Sequence, residues 1–338
     1  MTSLKTFLLE AWAILRVLSF RRIANAFILT ASYLYSYFTN KLILKGNPMA
    51  FAIEPTSICN LRCPECPTGA NLLKRPRGII DLEQYSKTLK QLSSHLMYLN
   101  LYIQGEPMMH PQFGKIVQEA HQFNLYTSTS TNGHFLTPVI AKQIVVGKLT
   151  RLIFSVDGTN QKSYSTYRIG GDFERVKKGI EYVIKAKSDL RTSYPIVIMQ
   201  FLVFKHNEHE LPAIKQLAKT LKVDKLEIKT AQLNDFGTMQ PPQNKKLSRY
   251  ADAIGTTLKH KTHNRCWRQW HSATITWDGQ FAPCCYDKDA EHAFGNTRDS
   301  TINTLWFGKK SIDFKKSIFL DRSAITMCKN CPEGRTLF

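Results

Sequence analysis

An α/β fold, specifically a partial (βα)6 TIM-like barrel, is predicted by two features of this 338-residue chain. From Met49 onward, short β-branched and aromatic runs alternate with amphipathic helical stretches, the pattern that builds a parallel sheet. Six such β-then-α units precede Gln240-Pro241-Pro242-Gln243-Asn244, which breaks the rhythm. Composition agrees: 43% apolar and 21% charged residues describe a globular protein that can bury a substantial core.

Residues 1–47 are expected to be helical. Leu4, Phe7, Leu8, Trp12, Leu15 and Leu18 recur at helical spacing, with Lys5 and Arg16 off that stripe. Ile23 to Asn40 carries no charge, and Arg21, Arg22, Lys41 and Lys45 flank it. Six of its 18 residues are Asn, Ser or Thr, which makes a membrane span a weak reading. Glu10 and Arg16 interrupt the first apolar run, so a signal peptide fits poorly. Two readings stay open. One is a helix pair in the interface of an anionic membrane, and the other is a helical hairpin packed on the protein's own core.

Strands are expected near 49–54, 98–104, 125–130, 151–156, 196–203 and 225–230. Helices are expected over 82–96, 111–123, 137–147, 172–188 and 208–221. In such a barrel the chemistry sits at the carboxyl ends of the strands. Residues 48–238 are the expected barrel, 239–265 a linker with a helix, and 266–338 a small C-terminal α+β unit. That unit opens on a hairpin near 272–277 and 280–284, turning at Asp278-Gly279.

The net charge of +20 favours an anionic partner: nucleic acid, an acidic membrane or an acidic substrate. Residues 1–47 hold six Lys or Arg against one acid. No stretch interleaves aromatic and basic residues as a single-strand nucleic-acid groove does, so nucleic acid is not favoured. Eight cysteines are too sparse for a disulfide scaffold, and their clustering suits metal binding in a reducing, cytoplasmic setting.

Three of them lie in Cys59-x3-Cys63-x2-Cys66, just past the first strand. Three thiolates are one too few for a closed zinc site or a fully ligated iron–sulfur cube, which leaves one iron open for chemistry. A disulfide-bonded loop, or a zinc site completed from elsewhere, is the competing reading. Strand two ends in Gln104-Gly105-Glu106-Pro107, strand three in Ser130-Thr131-Asn132-Gly133, and strand four in Ser155-Val156-Asp157-Gly158. The ten histidines show no ligand pairing, and no phosphate-binding glycine motif is present.

A C-x3-C-x2-C loop after the first strand of a six-unit barrel resembles the radical S-adenosylmethionine (radical SAM) superfamily. The resemblance implies a [4Fe–4S] cluster on Cys59, Cys63 and Cys66, with SAM chelating the open iron. It further implies reductive cleavage of SAM to a 5′-deoxyadenosyl radical that abstracts hydrogen from a substrate. Gln104, Gly105, Glu106 and Pro107 are similar to the family's Gly-Gly-Glu-Pro, with Glu106 facing the SAM ammonium. Asn132, Ser155 and Asp157 resemble segments near the ribose and carboxylate, and Arg168 is a carboxylate partner. One departure is Glu65, which stands where many members place an aromatic residue against the adenine.

The tail resembles a twitch or short SPASM extension. That resemblance assigns Cys266, Cys284, Cys328 and Cys331 to one auxiliary [4Fe–4S] cluster. Cys285 is then a spare thiol, because strand neighbours point to opposite sides, although exchange with Cys284 stays open. A four-cysteine zinc ribbon is the competing reading of the tail. The electron would come from a flavodoxin- or ferredoxin-type donor. The substrate class is a small molecule, a lipid-linked molecule or a peptide, and the catalytic acid or base is not assignable. An enzyme acting on RNA or a ribosomally made peptide is the alternative, as is a non-catalytic zinc or iron–sulfur protein.

Overall fold

The computed structural model describes residues 4–260, 263–331 and 333; residues 1–3, 261–262, 332 and 334–338, at the margins of the expected segments, lie outside. Two helices, α1 (Leu4–Val17) and α2 (Phe20–Thr39), precede the first strand. Strands and helices then alternate: β1 (Ala50–Ile53), α3 (Leu82–Leu92), β2 (Tyr98–Asn100), α4 (Phe113–Gln122), β3 (Tyr126–Thr131), α5 (Pro138–Val146), β4 (Arg151–Ser155). They continue as α6 (Gln161–Tyr167), α7 (Phe173–Asp189), β5 (Ile196–Val203), α8 (Leu211–Thr220) and β6 (Lys225–Thr230). The tail holds α9 (Arg268–His271), the hairpin β7 (Ser272–Ile275) and β8 (Phe281–Ala282), then α10 (Ile302–Phe307), α11 (Lys309–Asp321) and α12 (Thr326–Lys329).

Helix starts follow local chemistry. The side chains of Asp81, Thr137, Asn160 and Asp172 each accept a hydrogen bond from an amide of the following first turn. Helix α7 buries Phe173, Val176, Ile180 and Val183, one stripe at helical spacing. Strand β2 is shorter than expected, because the chain leaves the ladder to turn at Gly105. Between 239 and 260 the expected helix is replaced by a single 3-10 turn, Lys245–Leu247.

One sheet runs β6-β5-β4-β3-β2-β1-β7-β8. Strands β1 to β6 are parallel, and β7 continues them, pairing with β1 from Ala50↔Ser272 to Ile53↔Ile275. The tail hairpin thus extends the barrel sheet, which the sequence pattern did not signal. Strand β1 (Ala-Phe-Ala-Ile) is buried and needs a partner on each side, and β7 supplies the second. The far edge, β6, alternates Lys225, Glu227 and Lys229, charges suited to an unpaired edge.

Helices α1 and α2 lie against the amino ends of the strands. Ala13 and Val17 pack with Tyr126, and Leu9 packs with Ile153, Ile196 and Ile198. The Arg151 guanidinium at the foot of β4 pairs with Glu227 at 2.8 Å and reaches Glu10 at 3.9 Å. Buried Arg22 donates to four backbone carbonyls: Val17, Ser93, Phe123 and Asn124, at 2.7–3.0 Å. It thereby gathers the carboxyl ends of α1, α3 and α4, where helix dipoles favour a cation. On α2, Leu29 and Tyr33 enter the core, and Tyr33 stands edge-on to Trp267 and Trp270. The apolar stripe read from the sequence does the opposite: Leu4, Phe7, Leu8, Trp12, Leu15 and Leu18 all face outward. No helix among the described residues is long and apolar enough to cross a membrane.

Candidate active site

The chain leaves β1 at fully buried Glu54 and enters a long loop. Its base is closed by Ser57 N donating to Gly78 O at 3.0 Å and Ile80 N to Pro55 O at 2.9 Å. The Glu54 carboxylate takes both arms of the Arg75 guanidinium, at 2.7 and 2.5 Å. It also accepts from the amides of Gln104 and Trp277, each at 3.2 Å. One carboxylate therefore ties the cysteine loop, the end of β2 and the end of β7 together. Sequence reading passed over this pair; an acid directly ending a buried strand, with an arginine in the following loop, was the available signal.

Within the loop, Cys59, Cys63 and Cys66 line one cavity of about 130 Å³. Tyr102, Gly105, Glu106, Ser130, Thr131, Asn132, Ser155 and Arg168 complete its wall, so the ends of β2, β3 and β4 converge on the three thiols. Burial pushes the Cys59 thiol up to about 12 and raises Cys63, where Arg168 opposes the effect. A Lewis-acidic metal centre bound at the sulfurs would displace these protons to solvent.

Gly105 holds φ +75°, and a Cβ there would meet Thr56 O at 2.3 Å. Only glycine lets β2 turn this close to the cysteine loop. Glu106 follows, fully within the wall. One oxygen accepts from Thr131 Oγ1 at 2.6 Å and Met108 N at 3.1 Å, the other from Asn132 N at 2.6 Å. Burial raises its carboxyl to about 7 despite these bonds. Asn132 donates to Asn60 Oδ1 at 2.8 Å, bracing the cysteine loop.

Arg168 donates through Nε to Asp157 at 2.6 Å and through Nη1 to Cys63 Sγ at 3.6 Å. Burial disfavours its charge, but Asp157 and Cys63 outweigh that and hold the guanidinium charged. Asp157 spends its other oxygen on Leu202 N at 2.7 Å.

Of the eight residues expected at the cofactor, Gly105, Glu106, Asn132, Ser155 and Arg168 line the cavity. The other three stand behind it. Asp157 positions Arg168. Gln104 accepts from Thr68 Oγ1 at 3.0 Å and Cys66 Sγ at 3.5 Å, and Pro107 opens a buried 3-10 turn. Glu65 turns away from the cavity: its carboxylate accepts from Asn234 N at 2.7 Å and Met239 N at 2.9 Å, clamping the loop beyond β6. Gly237 leaves room for it, since a Cβ there would meet the Glu65 carboxylate at 2.0 Å. His110 is a core histidine, bonded to Ile80 O at 3.0 Å.

In the tail, Cys266, Cys284, Cys328 and Cys331 are all buried. Cys266 and Cys328 pack together with Ile318. Cys331 neighbours Cys266 and Cys328, and Cys284 is close enough to feel Cys331. Cys285 accepts from Arg268 Nη1 at 3.8 Å and lies close enough to be felt by Tyr102, which lines the first cavity. Buried Arg322, unanticipated from sequence, stands beside Cys266, Cys331 and Cys328; burial lowers its pKa, and the thiols more than restore it. Each thiol set thus has its own buried guanidinium.

Among the described residues, no three His, Cys, Asp or Glu side chains converge as tightly as a single metal ion requires. Thiolates around a cube stand wider apart than around one ion, and an all-sulfur donor set suits iron–sulfur chemistry. The three-thiol cavity and the four-thiol tail fit such groups.

Comparison with known proteins agrees. Residues 53–218 match the radical SAM superfamily, and residues 266–332 match SPASM, an iron–sulfur cluster-binding domain. The chain is 25% identical over 297 residues to the tungsten-containing aldehyde ferredoxin oxidoreductase cofactor-modifying protein of Pyrococcus furiosus, covering 78% of this chain and 82% of that one. It is 30% identical over 181 residues to the AdoMet-dependent heme synthase of Methanosarcina barkeri, covering 53% of this chain and 50% of that one. Streptococcus suis SuiB, solved bound to S-adenosylmethionine, shares the fold with a TM-score of 0.65 at 12% identity, over 90% of this chain and 74% of that one. The chain belongs to the radical SAM superfamily, as an enzyme of SAM and a [4Fe–4S] cluster that carries a SPASM iron–sulfur domain after its barrel.

Proposed function

We propose that this enzyme cleaves SAM reductively and abstracts hydrogen from an unactivated C–H of its substrate. The observation that carries the reading is the single cavity shared by three thiols, Glu106 and Arg168. A cluster and SAM bound there would supply the chemistry: one electron from a reductant would split SAM into methionine and an adenosyl fragment able to take a substrate hydrogen and leave as 5′-deoxyadenosine. The chain's own part is placement. Cys59, Cys63 and Cys66 hold the cluster, Glu106 receives the SAM ammonium, and Arg168, held by Asp157, receives the carboxylate. Asn132 and Ser155 offer short polar groups to the remaining hydroxyls.

Cys266, Cys284, Cys328 and Cys331 would hold one auxiliary cluster, with Cys285 left as a spare thiol beside Arg268. A cluster held there would supply a site able to take up or relay an electron during substrate oxidation. A flavodoxin- or ferredoxin-type protein is the reductant. The two relatives named above carry names for work on cofactors, which supports a small molecule or cofactor precursor over a nucleic acid. We place the enzyme in the cytoplasm, peripheral on the inner face of the membrane through residues 1–47.

The test is anaerobic reconstitution with iron and sulfide, followed by SAM and a reductant. Two four-iron clusters and release of 5′-deoxyadenosine are expected, and Cys63→Ala abolishes the release. No nucleoside from a folded, fully loaded protein would sink the reading.

A further inference from the structure

We propose that the floor of the barrel is a docking face for an anionic lipid bilayer, and that docking points the cluster cavity away from the membrane. The inference deepens the functional reading above by fixing the side from which substrate and reductant arrive.

The face is built by α1 and α2. Helix α1 is seated at the amino end of the sheet, and α2 is seated there and on the tail segment just ahead of β7, where Tyr33 packs on Trp267 and Trp270. Thr6 Oγ1 donates to Asp224 O at 2.9 Å, Tyr194 OH to Leu9 O at 2.8 Å and Asn25 Nδ2 to Asn47 O at 2.8 Å. Arg22 reaches the carboxyl ends of α3 and α4. The cavity lies past the carboxyl ends of β2, β3 and β4, across the full height of the barrel.

What the two helices leave outside is unusual for a water-facing surface. Phe20 is 87% exposed, Phe38 76%, Phe27 75%, Leu4 75%, Phe7 60% and Trp12 58%. Helix α1 buries Thr6, Ala13 and Val17 and turns its largest apolar residues to solvent, the reverse of a helix whose main apolar stripe is folded onto its own core.

Charge selects the occupant. Glu10, the one acid of the segment, faces inward to Arg151, and Arg22 is buried. The charged residues left exposed on the segment are Lys5, Arg21, Lys41 and Lys45, all positive. Two copies of such a face repel each other, whereas apolar side chains edged by cations match acyl chains beneath anionic headgroups. Beside α1, a groove of about 320 Å³ is lined by Arg16, Lys148, Val145, Val146, Leu190 and Tyr194. Arg16 Nε has no hydrogen-bond partner there. Two cations over an apolar floor suit a lipid phosphate, and the groove carries the face onto the ends of α5 and α7.

Docked this way, the cavity opens to water. Substrate and electron donor approach from the aqueous side, and acyl chains in the bilayer are out of reach of the three thiols.

The test uses the full-length reconstituted enzyme and vesicles of phosphatidylcholine, with and without phosphatidylglycerol. Flotation with the anionic vesicles is expected, and the combined Trp12→Glu, Phe20→Glu and Phe27→Glu variant loses it. Lys41→Gln with Lys45→Gln weakens binding roughly 25-fold, at about fivefold per cation near the surface. All variants keep SAM cleavage measured without vesicles, which separates failure of docking from failure of the chemistry. Hydrogen exchange on vesicles slows in α1 and α2 and stays unchanged over 59–66. Absent flotation, unchanged flotation of the triple variant, or slowed exchange over 59–66 each overturn the proposal. A dimer in vesicle-free solution that the triple variant dissolves would assign the face to protein instead.

Discussion

Two carboxylates close to the thiols do different work, and their surroundings say why. Glu106 sits in the cavity wall with burial holding its carboxyl up at about 7. Its folded value lies above the usual 4.5, so the neutral form is favoured. The stability it allows is complete at low pH and is lost as pH rises through 7, at a cost of about 3 kcal/mol. An ammonium against it reverses the preference and displaces the proton. SAM affinity is therefore expected to fall as pH drops below 7, and Glu106→Gln flattens that dependence while weakening SAM roughly ten- to hundredfold. Equilibrium dialysis of the reconstituted enzyme across this range decides it; a retained slope in Glu106→Gln would reassign the titration. Glu65, one residue before Cys66, accepts backbone amides of 234–239 instead. Glu65→Ala is expected to speed hydrogen exchange at those amides with little change at Glu106. The sequence showed that Glu65 breaks an aromatic habit, but its partner lies about 170 positions away, and local pattern carries no such information.

At the scale of elements, local signals did most of the work. β-branched and aromatic runs alternating with amphipathic helical stretches place all six barrel strands within a few residues, because each unit's own composition decides its conformation. Pairings across the chain were not readable. Arg22 looked like one more basic flank of an apolar stretch, yet it closes three helix ends. Glu54 and Arg75 are 21 residues apart and form a buried fork. Removing one partner strands the other. Arg75→Met is expected to cost roughly 3–5 kcal/mol by leaving Glu54 unpaired, and Arg22→Met roughly 3 kcal/mol by orphaning carbonyls. Denaturant melts of the reconstituted proteins measure both; losses under 1 kcal/mol would mean that water replaces the guanidinium. The stripe on α1 shows the limit from the other side: periodicity marks an apolar face but not what covers it.

For the whole molecule, the sheet order changes how the two iron–sulfur regions relate. A barrel ending near 238 with an appended domain implies parts that separate. Instead β7 completes β1, and Glu54 accepts amides from both Gln104 and Trp277, so the tail is hydrogen-bonded to the strand that carries the three thiols. Helix α2 bridges the same seam, since Tyr33 packs on Trp267 and Trp270 and its hydroxyl donates to Arg265 O at 2.8 Å. Truncation and ligand removal should then behave differently. A chain ending at 260 bares the edge of β1, withdraws an amide from Glu54 and exposes the α2 aromatics, so it is expected to aggregate and hold no cluster. Cys328→Ser with Cys331→Ser keeps the hairpin in place. It is expected to stay folded, carry half the iron and still release 5′-deoxyadenosine, while losing product formation. Iron analysis, thermal melting and nucleoside release on the two variants separate the outcomes. A stable, cluster-loaded 1–260 fragment would show that the shared sheet is dispensable, and that the barrel and its iron–sulfur extension are independent bodies after all.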